Sequence, residues 1–548
     1  MPLQKNQVLT LQVERLSSDG SGVAHSPEGE TVFIPGAAPG DEARVRIVKD
    51  CKRYAFGILD EVLKPSPDRI PVDCAVAGPC GGCSLRHLDY AAELRAKQAN
   101  VADAFARIGG LDVPVLPIVG SPEIDRYRNK VQFPVGTDKA GHPCIGFYAG
   151  RTHRIVPCPD CRLQPGVLNE IGNTLCAFFA EKGIHPYNEE TGKGLVRHIF
   201  LRRGAHSGQI MVCLVCTRAK IPSAEELCTR LKEAFPDIVT ILLNVNAKNT
   251  NVILGSETHT LYGQGYIEDT LCGVPVQLGP LSFYQVNTLA AEQLYGIAAE
   301  YAQLTPDDLL LDLYCGMGTI GLSMADHCRE LVGVEIVPEA IESAKANAAR
   351  MGAAVSAKSR FFCADAGQAA AQLAAEGLHP DVVMLDPPRK GCDEATLSAV
   401  VRMAPRRVVY VSCNPATAAR DAAWLEQNGY HAEKVQPVDL FPRTKHVEAV
   451  LLLTKLNVER HIEVDVSMDE LNVTAAESKA TYDEIKAYVL EKHGLKVSSL
   501  YISQVKRKCG LDVGQNYNLS KKEDAKVPQC PPEKEAAIME ALKHFQML

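Results

Sequence analysis

No stretch of the 548-residue sequence approaches a membrane span, and the opening MPLQKNQVLTLQVERL lacks the apolar core of a signal peptide. These absences argue against a membrane or secreted protein and lead us to expect a cytoplasmic one. An excess of positive charge is also missing. The formal net charge is −8, so nothing global advertises a nucleic-acid partner. No internal repeat is evident. What is present is an ordinary globular composition, 46% hydrophobic and 23% charged, at a length that predicts three or four domains. Two features stand out against it. There are 19 cysteines, which in a reducing compartment point to metal binding or catalysis rather than disulfides. Residues 121–220 carry 14 Lys/Arg against 8 Asp/Glu, a basic middle that suits a polyanion.

Residues 1–62 alternate in the manner of short strands (QVLTLQVERL, TVFIPG, ARVRIV, AFGILDEVL) separated by Gly- and Pro-containing turns, the pattern of a small barrel. A Pro-rich stretch, 63–73, reads as a linker. A helical piece, DYAAELRAKQANVADAFARIGG, precedes a strand-rich region from about 112 to 280. From 281 to 456 strands and helices alternate, as in a parallel sheet. Residues 457–548 are more polar and contain helical pieces. The expected organisation is therefore a barrel (1–62), a β-rich central domain (63–280), a doubly wound α/β domain (281–456) and a C-terminal extension of unknown role (457–548).

Cys74, Cys80 and Cys83 follow C-x5-C-x2-C, with Gly81 and Gly82 letting the final loop wrap tightly. Cys158 and Cys161, in RIVPCPDCRLQP, are candidates for a fourth ligand. Zinc ribbons pair two short C-x2-C hooks, so the five-residue gap favours a 4Fe-4S cluster held by four thiolates. Structural zinc is second. In CLVC (213–216) the offset of three along an apolar strand puts the two thiols on opposite faces, which disqualifies them as a pair.

LLLDLYCGMGTIGLSMA (309–325) is an apolar strand, a loop with Gly316 and Gly318, and a helix; the glycines bring backbone close to a ligand at the helix start. Glu335 ends the next strand, placed to accept from ribose hydroxyls. Asp365, in FFCADAG, either meets an adenine amine or caps a helix. Asp386 stands at a strand end before a rigid Pro-Pro turn in VVMLDPPRKG. This arrangement fits a pocket for S-adenosylmethionine better than one for NAD. Cys413, in VSCNPATAARD, follows an apolar run at the mouth of the same sheet, where open α/β folds bind ligands. It is either a nucleophile or a small buried hydrophobe.

SFYQVN, DLYCGMGTIGL, DPPRKG, VSCNPATAARD and FPRTKHVEAVLLL occur in an order that resembles the RNA uracil-C5 methyltransferases over roughly residues 1–456. Residues 1–62 resemble a TRAM domain, and the cysteines resemble the 4Fe-4S site of that family's ribosomal RNA branch. The resemblance implies Cys161 as fourth cluster ligand, with Cys158 a bystander. It implies a cofactor pocket of Gln285, Tyr314, Glu335, Asp365 and Asp386 with the glycine loop, Cys413 as nucleophile and Glu448 as base. Residues 457–548 have no counterpart in the family core. The expected substrate is 23S ribosomal RNA, with transfer RNA the runner-up and no obligate protein partner.

The chemistry suits these residue types. Carbon 5 of uracil is a poor nucleophile; adding a thiolate at carbon 6 makes an enolate whose carbon 5 is electron-rich, which splits one hard step into two. The proton on carbon 5 must then leave, and a carboxylate, Glu448, can take it. Phe283 and Gln285 alternate along SFYQVN, offering an aromatic face and an amide to one base. Arg126, Arg128 and Lys130 interleave with Tyr127 as a phosphate-and-stacking surface might. A TRAM-bearing radical methylthiotransferase is disfavoured by the cysteine spacing. An RNA-binding assembly factor with a vestigial pocket is the non-enzyme rival.

Overall fold

The computed structural model describes residues 3–456 except 151, 249 and 251, together with 482–509 and 530–545. Five strands, Val8–Leu16, Ser21–His25, Thr31–Pro35, Glu42–Asp50 and Tyr54–Lys64, close into a barrel. Period-2 alternation builds it: Val32, Ile34, Val45, Ile47 and Ala55 are fully buried inside, while Phe33, Tyr54 and Phe56 face out. The helix Tyr90–Ala104 follows, capped by the Asp89 side chain, and runs on into a π-helical turn, Phe105–Gly109.

The central region is a seven-stranded sheet in the order Glu257–Tyr262, Ile238–Val245, Ile210–Cys216, Val196–Arg203, Lys130–Thr137, Pro143–Tyr148, Ile155–Pro157. Cys213 and Cys216 pack into two different apolar cores, on opposite faces of this sheet, as their spacing predicts.

A second seven-stranded sheet spans the segment from Leu309 to Lys455. Numbered in chain order its strands lie 3-2-1-4-5-7-6, and the first five are parallel. Glu448–Lys455 then pairs antiparallel with both Arg407–Ser412 and Tyr430–Val438. Leu309–Leu313 and Val382–Leu385 are buried along their whole length because both faces are covered, which explains their unbroken apolar runs. The architecture is the doubly wound α/β fold expected, with a barrel and a β-rich domain attached.

Beyond Asn457 the chain forms a separate compact unit, Val458–Leu548. Its described helices, Tyr482–His493, Ser499–Lys508 and Pro532–His544, share a core of Ile485, Val489, Ile502, Ile538 and Leu542. Among the described residues no helix is long and apolar enough to cross a membrane.

Candidate active site

Cys413 follows the strand Arg407–Ser412, and its neighbour Asn414 caps the next helix, accepting from the Ala416 N–H at 3.2 Å with Pro415 at the first helical position. The Asn-Pro pair thus starts a helix as well as ending a strand. Asn414 also donates to the Arg389 carbonyl at 2.9 Å, and the Thr417 hydroxyl donates to the same oxygen at 3.3 Å. These bonds lace the cysteine loop onto the loop after Asp386.

Through this lacing four ionisable groups meet. Burial raises the Cys413 thiol above its ordinary range, and Glu448 and Asp386 add to that; Arg389, hydrogen-bonded to it, pulls the other way. Glu448 opens its strand and is 6% exposed. Burial, with Asp386 adding, holds its carboxyl well above the carboxylate range against the pull of Arg389. Burial pushes Asp386 up to about 7. Arg389 is steadied by donating to His446 Nδ1 at 3.1 Å. The imidazole can accept because burial, followed by Arg389 and Lys445, pushes it down to about 4 and leaves it neutral. Neither Arg389 nor His446 is marked out by sequence as part of the site, although both lie inside the motifs DPPRKG and TKHVE.

The glycine loop lies at the end of the first strand of the same sheet. Tyr314, Gly316 and Gly318 all have positive φ, at 65°, 55° and 79°. Glu335 shapes the loop directly, accepting from the Gly316 N–H at 3.2 Å and the Val337 N–H at 2.9 Å. Asp312, the acid that opens the D-x-x-x-G-x-G pattern of this loop, accepts from the Gly321 N–H at 3.0 Å, while its other oxygen is buried without a partner. Burial pushes it up to about 8. Asp365 caps the helix Ala366–Ala375, one oxygen of its carboxylate accepting from both the Gly367 and Gln368 N–H groups, a role that does not exclude a ligand contact.

Gln285 is tied to the central domain, its carbonyl accepting from the Asn129 side chain at 2.8 Å. Tyr284 between Phe283 and Gln285 is buried and donates to the Thr270 carbonyl at 3.0 Å; Phe283 is 70% exposed. The helix Thr288–Ala302 links this segment to the glycine loop through Tyr295 and Thr319, whose hydroxyls lie 3.2 Å apart. One neighbouring expectation is corrected. Tyr127 is buried and donates to the Pro442 carbonyl, so it offers no stacking face, and Arg126 is paired with Asp160 at 2.6 Å.

The thiols of Cys74, Cys80, Cys83 and Cys161 lie within electrostatic reach of one another. Cys74 and Cys161 act on Cys80, and Cys80 and Cys161 act on Cys83. Cys158 is buried and hydrogen-bonds Cys161. Arg86, 2% exposed, stands beside Cys83 and is paired with Asp73 at 2.9 Å and Asp125 at 2.6 Å. Four thiols beside a buried guanidinium form a donor set chemically suited to an anionic thiolate cluster. Among the described residues, no three His, Cys, Asp or Glu side chains stand at metal-holding distances.

Comparison with known proteins decides the family. The tRNA (uracil-5-)-methyltransferase family matches residues 207–456, and the TRAM domain matches residues 2–59. An uncharacterized RNA methyltransferase of Halalkalibacterium halodurans is 43% identical over 457 residues, covering 83% of this chain and 99% of that one. The chain belongs to the S-adenosylmethionine-dependent RNA (uracil-C5)-methyltransferases. A relative from Oceanobacillus iheyensis is 42% identical, covering 83% of this chain and 98% of its own. Among solved structures, the Pyrococcus abyssi tRNA (uracil-54, C5)-methyltransferase in complex with S-adenosyl-L-homocysteine is similar at TM-score 0.65 and 27% identity, over 82% of this chain and 100% of that one. The methyltransferase fold, RNA binding through the TRAM domain and S-adenosylmethionine as methyl source follow for this member of the family.

Proposed function

We propose that this methyltransferase modifies carbon 5 of a uridine in 23S ribosomal RNA through a covalent adduct with Cys413. The observation that carries the covalent route is the meeting of Cys413, Glu448, Asp386 and Arg389 at the carboxyl ends of the parallel strands of the sheet that bears the glycine loop. A thiol beside a guanidinium can ionise despite its burial, and the thiolate is the reactive form. Cys413 adds to carbon 6, forming a C–S bond as the C5–C6 π bond opens and its electrons shift onto the carbonyl oxygen at carbon 4. S-adenosylmethionine, when bound, supplies the methyl group that the electron-rich carbon 5 accepts. Glu448 takes the proton from carbon 5, and the returning electron pair expels Cys413. Raised proton affinity makes Glu448 the stronger base for that step once its carboxyl has ionised.

Gln285, Tyr314, Gly316, Gly318, Glu335, Asp365 and Asp386 form the proposed cofactor pocket. Cys74, Cys80, Cys83 and Cys161 would hold a 4Fe-4S cluster. Methyl transfer needs no electron, so we assign these four residues a structural or RNA-positioning role. The ribosomal choice rests on these cysteines. The transfer RNA alternative rests on the name of the matching family and on the Pyrococcus abyssi structure. Mapping 5-methyluridine in ribosomal and transfer RNA from cells with and without the gene separates the two.

The covalent route has its own test. Cys413→Ala abolishes turnover and forms no adduct. Glu448→Gln still permits addition and methylation but stalls elimination, since loss of a positioned base costs about 10²–10⁴-fold. Methylated RNA then stays attached as a heat-stable shifted band on a denaturing gel. Substantial methylation by Cys413→Ala would reject the nucleophile.

A further inference from the structure

A cleft of about 540 Å³ includes Cys413 in its lining and is walled by three separate parts of the chain. The barrel supplies Arg15 and Phe33, the end of the helix after Asp89 supplies Arg107 and Ile108, and the catalytic loops supply Cys413 and Lys445. All lie within one compact unit. The cleft's lining runs from Cys413 and Arg389 to the barrel, so one base over Cys413 leaves the barrel side unaccounted for.

The outer end has a definite chemistry. Strand alternation turns Phe33, Tyr54 and Phe56 outward from the barrel, where solvent-facing side chains are usually polar. The three rings brace one another, with Phe33 5.8 Å from both neighbours and Tyr54 5.6 Å from Phe56, and Phe33 borders the cleft. Ile108, 57% exposed on the π-helical turn, a form of helix that recurs at functional sites, lines the same cleft. Four cations line the walls, Arg15, Arg107, Arg389 and Lys445, against one carboxylate, Asp103, which lies 3.5 Å from Arg107. An aromatic face, an apolar side chain and unbalanced positive charge together suit a nucleobase with its phosphates. A peptide groove would need backbone partners that these side chains do not supply.

We propose that this cleft holds a nucleotide neighbouring the target uridine, its base stacked on Phe33 and its phosphates against Arg15 and Lys445. This inference rests on the covalent reading above for what lies at the Cys413 end. The TRAM barrel then shapes the single-stranded path into the active site, and a target still paired in a duplex cannot reach the thiol by this path.

The test uses the full-length chain with RNA from cells lacking the gene as methyl acceptor. Phe33→Leu keeps an apolar packing partner for Tyr54 and Phe56 but loses the flat face. It should raise KM for RNA about tenfold, the cost of one lost stack, with kcat at saturation and S-adenosylmethionine affinity little changed. Phe33→Trp should restore KM. Lys445→Ala should weaken RNA binding and flatten its salt dependence. An unchanged KM in Phe33→Leu, or a loss that tryptophan does not rescue, overturns the subsite.

A second measurement separates this failure from failure of the parent reading. An oligouridylate of about eight nucleotides carrying one 4-thiouridine is photo-crosslinked to the unmutated protein. Crosslinks within residues 31–35 or 104–109 support the cleft even where Cys413 forms no adduct. Crosslinks confined elsewhere reject it even where Cys413 does.

Discussion

At the residue scale, the candidate site is costly to the fold. Asp386 is buried and pushed up to about 7, whereas an unfolded aspartate titrates near its ordinary value. A carboxyl whose proton affinity is raised by folding gives stability that is fully present below the unfolded value and lost as pH climbs through the folded one. For Asp386 that window runs from about 4 to about 7. Asp386→Asn should therefore raise the melting temperature of the cofactor-free protein at pH 8 and change it little at pH 4, while lowering affinity for S-adenosylmethionine. Calorimetry at the two pH values checks the first half, and titration calorimetry the second. Equal effects at both pH values would show that the group is not buried as an acid. The sequence displayed Asp386 as a strand-end carboxylate before Pro-Pro. It did not display Arg389 as the shared neighbour of Cys413 and Glu448, because that depends on two side chains, Asn414 and Thr417, reaching across to one carbonyl. Contacts between loops distant in sequence have no period to read. Tyr127 misled for a related reason: an aromatic between cations looks the same on a surface as in a core.

At the element scale, the glycine loop is where sequence and structure agree most closely, because its requirement is local. Gly318 ends the loop at φ 79°, and a Cβ there would come within 3.1 Å of Leu322, 3.2 Å of Ala344 and 3.3 Å of Phe361. Both the dihedral and the crowding oppose any side chain. Gly318→Ala should destabilise the domain by about 1–2 kcal/mol and weaken cofactor binding. Gly316, also at positive φ, would have open space around its Cβ, so Gly316→Ala should cost only its backbone strain. Thermal unfolding of the two variants distinguishes crowding from strain, and equal losses would show that crowding contributes nothing. The strands beside this loop were legible for a similar reason. Runs such as Val408 to Val411 are apolar throughout because helices cover both faces of the sheet. The π-helical turn at Phe105–Gly109 was not legible, since its residues continue an ordinary helical pattern.

At the scale of the whole molecule, the helix that follows the cysteine segment and the catalytic sheet are joined by buried polar contacts rather than by apolar packing alone. Lys97 donates to Glu93 and to Asp439, both at 2.7 Å, and Tyr90 reaches the same Asp439 at 3.0 Å. The backbone N–H of Arg443 donates to Glu93 at 2.7 Å, and the Arg443 guanidinium to the Leu88 carbonyl at 2.9 Å. This network fastens the helix Tyr90–Ala104 to the segment that leads into His446 and Glu448. It is complete within Met1–Asn457, and every candidate catalytic, cofactor and cluster residue lies in the same unit. The helices beyond it bury their apolar faces in a core of their own, and the Halalkalibacterium halodurans relative is covered over 99% of its length by 83% of this chain. Truncation after Leu456 should therefore leave a folded protein that methylates RNA within a few-fold of the full chain. The comparison is made at saturating RNA and again at low RNA. A loss seen only at low RNA would assign the extension to substrate capture. A well-folded truncation with no turnover at saturation would show instead that the chemistry needs residues beyond 456, and that the unit carrying Cys413 and Glu448 is not sufficient for it.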